Sequence, residues 1–328
     1  MLYPLTFRPI FKERVWGGRN LERLYGKPLP PQVPIGESWE ITDRPEGVSE
    51  IANGPLAGKN LRWLMQHHAA ELLGPARTAA AGRFPLLVKI LDAQDVLSLQ
   101  VHPPAALAAS LGGEPKTEMW YVADATPDAS VFVGLRRGVT RDEFTRRVHD
   151  GTVAQCFHRH SVRAGDAMFL PSGRVHALGA GSVIFEIQQN SDTTYRVFDW
   201  NRVGLDGKPR ELHLKEALAS IDFSDFEPPL IPNRFAATDA ANSAAKESPL
   251  VRDPLFEVVL RREAANWRGQ RAQPGLTILA VLTGGLTVTG GGQTVALRPG
   301  QFCLLPAALA DFELHTAVAT EFLQVRPG

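Results

Sequence analysis

Four side chains in this sequence carry donor atoms that bind metals, at a spacing that could bring them together: Gln100, His102, Glu118 and His176. Successive side chains of an extended strand alternate between faces, so Gln100 and His102, two apart, share a face, and Ser98 joins them. Lys116 and Glu118 repeat that relation at the start of another apolar run, and His176 follows a turn stiffened by Pro171 and Gly173. Two imidazoles, a carboxylate and an amide oxygen make an N/O ligand set suited to Zn²⁺ and able to hold Fe²⁺, Mn²⁺ or Co²⁺. With a position left for water or substrate, such a centre is catalytic rather than structural. The other histidines offer less. His158 and His160 form an H-x-H with no carboxylate at ligand spacing and read as solvent-facing strand residues. His67 and His68 lie in a helical pattern, where neighbours diverge by about 100° and cannot share an ion.

The elements that must hold the four donors are mostly strands. Short apolar runs punctuated by Gly and Pro point to a mainly β architecture with a few short helices. The clearest strands are 84–90, 96–102, 118–124, 166–171 and 182–189, followed by 276–283, 285–289, 293–297 and 301–305, with a hairpin turn at Gly290-Gly291-Gly292. A helix is expected over 60–74, where Leu61, Leu64, Met65, Ala69 and Leu72 share one face. A second covers 140–150, opened by a capping box of Thr140 and Glu143, and a third covers 213–220.

A repeat organises these elements. GDAMFLPSGRVH (165–176) and GQFCLLPAALAD (300–311) share a glycine and a proline at the same offset, but Asp311 stands where the first copy has His176. Two barrels of one kind are expected, with the histidine only in the first. Residues 231–249 lose the apolar periodicity and read as a linker. The chain then divides into a metal-binding domain, 1–230, and a degenerate β domain, 250–328.

Bulk composition narrows the function classes. In 328 residues, 44% hydrophobic, 35 basic side chains balance 35 acidic ones, which gives no reason to expect nucleic acid or an anionic membrane as partner. Cys156 and Cys303 sit in apolar runs and read as reduced, buried residues. No signal peptide is evident at the start, and no run reaches the ~20 apolar residues of a membrane span, so a cytoplasmic location is expected.

The G-x5-P-x-G-x2-H pattern at 165–176 resembles the second cupin motif, while the first motif is altered, Gln100 standing where many cupins have a histidine. The expected fold is therefore two cupin-type (jelly-roll) β-barrel domains. The segments ERVWGG (13–18), GESWEI (36–41), LSLQVHPP (97–104), KTEMWYV (116–122), GDAMFLPSGRVHALG (165–179) and SDTTYRVFDWNR (191–202) are similar to type I mannose-6-phosphate isomerase. Only 57 residues separate Glu118 from His176, as in the short bacterial form. The resemblance implies one Zn²⁺ per chain on Gln100, His102, Glu118 and His176. It also implies interconversion of mannose 6-phosphate and fructose 6-phosphate through a cis-enediol, with a sugar phosphate as the small-molecule partner.

The proton carrier is not singled out. Lys116, Lys89, Asp192 and Arg196 are the catalytic candidates: Lys116 as a cation or proton carrier beside Glu118, Asp192 in ring opening or proton transfer. Ser98 and Arg196 match family segments that contact substrate or phosphate. Trp16 could wall a sugar pocket, and Glu186 shares a strand face with Gln188 and Asn190 that could line it. The alternatives are an isomerase of unphosphorylated aldoses, an Fe²⁺ dioxygenase and a sugar-binding or regulatory bicupin.

Overall fold

The computed structural model describes residues 1–231, 247–270 and 275–328. In chain order its strands are β1 (Ile10–Gly18), β2 (Ile35–Ile41), β3 (Asp43–Arg44), β4 (Gly47–Val48), β5 (Leu86–Ala93), β6 (Leu99–Val101), β7 (Glu118–Ala125), β8 (Ser130–Leu135), β9 (Phe157–Ser161), β10 (Ala167–Leu170), β11 (His176–Leu178), β12 (Ser182–Gln189) and β13 (Tyr195–Phe198). The second half continues with β14 (Glu247–Arg252), β15 (Phe256–Glu263), β16 (Trp267–Gln270), β17 (Thr277–Thr283), β18 (Leu286–Gly290), β19 (Gln293–Leu297), β20 (Phe302–Leu305), β21 (Phe312–Thr316) and β22 (Thr320–Pro327).

A six-stranded sheet runs β1-β2-β5-β12-β7-β10, and a five-stranded sheet runs β13-β6-β11-β8-β9. In the second half the orders are β14-β15-β22-β17-β20 and β16-β21-β18-β19. Adding ten to each label from β5 to β12 reproduces the order β15 to β22 in both sheets, so the sequence repeat is a repeat of strand order. Each sheet is open-ended; none closes on itself among the described residues.

The two larger sheets pack face to face. Leu86, Val88 and Ile90 of β5 and Val183, Phe185 and Ile187 of β12 share one hydrophobic cluster with Phe256, Val258 and Leu260 of β15 and Leu323 and Val325 of β22. Phe185 stacks on Phe302 at a centroid distance of 5.5 Å. The opposite face of the six-stranded sheet looks into the first half's interior, where Leu91, Trp120, Val122 and Ile184 meet Val131, Val133 and Leu178 of the smaller sheet. A sheet covered on both faces has no solvent side, which is why every residue of β5 is buried.

Local expectations meet the structure with small differences. The helix expected over 60–74 is two pieces, Leu61–His67 and Ala69–Leu73, because His68 leaves helical geometry (φ −138°, ψ 25°). Thr140 caps its helix by accepting from Glu143 N (3.2 Å), but the Glu143 carboxylate turns forward to Arg147 (2.8 Å), so the box is half made. The Gly290–Gly292 turn joins β18 to β19, with φ of 55° and 73° at Gly291 and Gly292, where glycine carries no steric cost. Cys156 and Cys303 are buried and unpaired. Of the expected linker, 232–246 lies outside the described residues, and 247–249 belongs to β14. No helix among the described residues is long and apolar enough to cross a membrane.

Phe185→Ala should destabilise the fold by about 3–5 kcal/mol through the cavity left between the two large sheets. The shift in urea midpoint checks this, and a shift under 1 kcal/mol would contradict the packing described.

Candidate metal centre and its cavity

Cross-strand register brings the four donors together. In the smaller sheet His176 pairs with Gln100, and Gln100 pairs on its other side with Arg196. Glu118 comes from the facing sheet, at the inward start of β7. Ligand atoms of His102, Glu118 and His176 all lie within 4.8 Å of one another, and all three residues are buried. His176 Nε2 lies 3.3 Å from Glu118 Oε1, and His102 Nε2 lies 3.5 Å from Glu118 Oε2. Gln100 Nε2 is 3.2 Å from His176 Nε2, so it is the amide nitrogen that faces the histidine; turning the amide over would present Oε1 instead.

The second ring nitrogens fix the tautomers. His102 Nδ1 faces Thr193 O at 2.8 Å, and His176 Nδ1 faces Arg174 O at 2.9 Å. Carbonyl oxygens only accept, so each Nδ1 carries the hydrogen and each Nε2 turns a lone pair inward. Burial, aided by Lys116, pushes His102 down to about 3, and burial also lowers His176, so both imidazoles stay neutral. Burial opposes the charge on Glu118, but Lys116, 2.9 Å from Oε2, outweighs it and keeps the carboxyl well below the ordinary range. His102 Nε2 and Glu118 Oε1 are buried without a hydrogen-bond partner, whereas Oε2 has the Lys116 ammonium beside it. Orphaned acceptors of this kind are costly unless something cationic sits among them. The donors therefore fit a divalent ion.

Beside these donors lies a cavity of about 530 Å³. Lys116, Lys89, Asp192, Arg196, Ser98, Trp16, Glu186 and Gln100 all line it, so the structure gathers every substrate-side and catalytic candidate from the sequence around one space. Trp16 is buried among Leu91 and Trp120. The end of β1 approaches β2 closely here, since a Cβ on Gly17 would fall 2.4 Å from Gly36 N. His67, His68, His158 and His160 are elsewhere: His68 pairs with Glu71, and His160 Nε2 bonds Pro228 O at 2.8 Å.

Sequence reasoning missed Glu37, Arg14 and Arg210, which also line the cavity. Glu37 joins a buried polar chain: Arg14 Nε donates to Oε1 at 2.6 Å, Trp39 Nε1 donates to Oε2 at 2.6 Å, and Lys89 Nζ lies 3.8 Å away. Lys89 continues to Glu186 Oε1 at 3.2 Å, and Trp120 Nε1 donates to Glu186 Oε2 at 3.0 Å. Burial alone would raise Glu37, yet Lys89 and Arg14 hold it at about 2. Glu186 moves the other way, lifted by burial and by Glu118 against the pull of Lys89. Burial likewise opposes the Lys89 charge, but Glu186 and Glu37 prevail and raise its pKa. The available signal for Glu37 was its place in GESWEI, one of the segments already singled out.

Residues 5–117 match the family described as phosphomannose isomerase type I, catalytic domain. The chain is 36% identical over 317 residues to mannose-6-phosphate isomerase ManA of Bacillus subtilis, covering 95% of this chain and 96% of that protein. It is 35% identical over 314 residues to mannose-6-phosphate isomerase of Streptococcus mutans, covering 95% of each. The crystal structure of a Bacillus subtilis mannose 6-phosphate isomerase superposes with a TM-score of 0.82 at 30% identity over 99% of both chains. A mannose 6-phosphate isomerase crystallised with zinc and yttrium shares the fold at a TM-score of 0.74 and 18% identity, over 99% of this chain and 100% of that one.

Removing one imidazole should empty the centre. His176→Ala is expected to abolish stoichiometric divalent metal in the purified protein, read by elemental analysis, and full occupancy would exclude it as a ligand. Glu37 bears on acid stability. Its folded pKa of about 2 lies below the ordinary 4.5, so its contribution is complete above pH 4.5 and disappears as pH falls toward 2. The stability gap between wild type and Glu37→Gln should narrow over that window by something on the order of 3 kcal/mol, measured by chemical denaturation at each pH. A constant gap would contradict the pairing.

Proposed function

The chain belongs to the mannose-6-phosphate isomerase family, and we propose that it interconverts mannose 6-phosphate and fructose 6-phosphate with one zinc ion held by Gln100, His102, Glu118 and His176. The observation that carries this reading is the set of orphaned, buried ligand atoms beside a cavity furnished with paired acids and bases. Neutral imidazoles, a carboxylate and an amide suit zinc among the divalent ions. When bound, the ion supplies a Lewis acid that polarises and orients sugar oxygens.

The chain's own residues must bind the sugar, exclude water and move one proton between neighbouring carbons. Lys116 lies next to the ligand Glu118 and lines the cavity, so it can stabilise a developing oxyanion or carry the proton. Burial lifts the Glu186 carboxyl toward neutrality, which suits a group that contacts the sugar and exchanges a proton with it, and Lys89 balances its charge when ionised. Asp192, Ser98 and Trp16 also line the cavity, and our assignments for them are ring opening, a sugar hydroxyl and the sugar's apolar face. Arg196, with no carboxylate within ion-pair distance among the described residues, is our assignment for the phosphate. We read the two strand sets as cupin-type jelly rolls, the first (1–230) bearing the site and the second (250–328) a copy without it.

Incubation with mannose 6-phosphate in deuterated water should yield fructose 6-phosphate. Turnover of an unphosphorylated aldose alone would move the assignment to a free-sugar isomerase. Lys116→Met should lower kcat roughly 10²–10⁴-fold with metal content retained; a loss confined to KM would make Lys116 a binding residue only.

A further inference from the structure

The segment after β13 builds one wall of the cavity through Gly204, Leu205, Asp206 and Arg210. Its path is unusual. Trp200 and Asn201, consecutive and neither glycine, both take left-handed geometry (φ 57° and 54°), and Trp200 is anchored by its Nε1 donating to Leu97 O at 2.8 Å. Two such residues in a row persist only where the surroundings over-determine them, and such strain collects at functional sites. A small hairpin follows: Val203 bridges Pro209, and Gly204 N donates to Lys208 O at 2.7 Å. Asp206 serves that turn by accepting from Lys208 N at 3.0 Å. The result is to bring Arg210 back to Asp199.

Asp199 is buried and shared by two arginines. Arg210 donates to it through Nε at 2.7 Å and through Nη2, a bidentate fork. Arg202 donates through Nε at 3.1 Å and Nη2 at 3.0 Å. The fork fixes the Arg210 plane and leaves the two donors of Nη1 uncommitted. Arg196 lines the same space. Its Nη1 is spent on Glu211 O at 2.7 Å, but its Nε is buried without a partner. Burial is the main influence working against the charge on Arg196, and the nearby Arg210 is the next. Arg202 also pairs with Asp95 at 3.3 Å, so its charge is balanced there, while Arg210 and Arg196 both line the cavity and share only Asp199 as a buried counter-charge, an excess of positive charge that an anion would balance.

We propose that Arg210 is a second phosphate-binding residue beside Arg196, and that Asp199 is the positioning residue that aims it. This inference rests on the isomerase reading above. Steady-state kinetics with mannose 6-phosphate, with inorganic phosphate as competitive inhibitor, test it on the metal-loaded enzyme. Arg210→Met should raise KM roughly 10–100-fold, weaken inhibition by phosphate in parallel and leave kcat within about threefold, as expected for loss of a charge-assisted contact made equally in ground and transition states. Arg210→Lys should recover part of the KM. Asp199→Asn should raise KM with kcat retained, and Asp199→Glu should restore part of it. Unchanged KM and phosphate inhibition in Arg210→Met would overturn the assignment, as would a loss confined to kcat. Unchanged KM in Asp199→Asn would overturn the positioning role. If the wild type does not isomerise mannose 6-phosphate, the isomerase reading fails; the anion site then stands or falls on calorimetric binding of inorganic phosphate to wild type against Arg210→Met.

Discussion

The inner strands β2, β5 and β12 of the six-stranded sheet have almost no surface on water, and the arrangement of the rest follows from that. One side is sealed by the large sheet of the second half, through Phe185 and Phe302 among others. The other side looks into the interior of the first half, where the smaller sheet closes over it. Any polar side chain on the inward face must find its partner inside the protein, because an unpaired buried charge is expensive. Glu37, Lys89, Glu118 and Glu186 all project there, and each has at least one opposite charge within 4 Å. The buried setting also makes the unpartnered atoms His102 Nε2 and Glu118 Oε1 informative, since no protein group satisfies them.

Opposite pKa shifts arise inside this one enclosure. Glu37 accepts from a guanidinium and an indole and faces an ammonium, so ionisation wins over burial. Glu186 has the same ammonium and another indole, but lacks the guanidinium and feels Glu118, so burial wins. Two carboxyls on neighbouring faces of Lys89 therefore keep different protonation tendencies, which is what proton transfer in a closed site requires.

The second half repeats the strand order with other residues at the positions of the candidate ligands. Thr277 opens β17 as Glu118 opens β7, and Asp311 stands at the His176 offset. Its interior is instead filled by Leu279, Val281, Phe322 and their neighbours. That half supplies the surface that buries the outer face of the six-stranded sheet, a packing role that needs no ligands.

By itself the sequence determined the alternation of strand and turn and the repeat, and it singled out four candidate donors, three of which the structure groups within 4.8 Å. These are encoded in local patterns: period-two spacing for Gln100 and His102, and a glycine–proline frame before His176. The family segments added the cavity side chains. Glu37 escaped notice because a carboxylate in a buried strand looks like any edge-strand charge until both faces of the sheet are known to be covered. Arg210 escaped because its relation to Asp199 depends on two left-handed residues and a hairpin that no spacing rule announces. The tautomers of His102 and His176 and the opposite fates of Glu37 and Glu186 were decided only by the tertiary structure. Each depends on distances between strands far apart in the chain, and electrostatic energy at 3–4 Å inside a low-dielectric interior is fixed by those distances rather than by residue type.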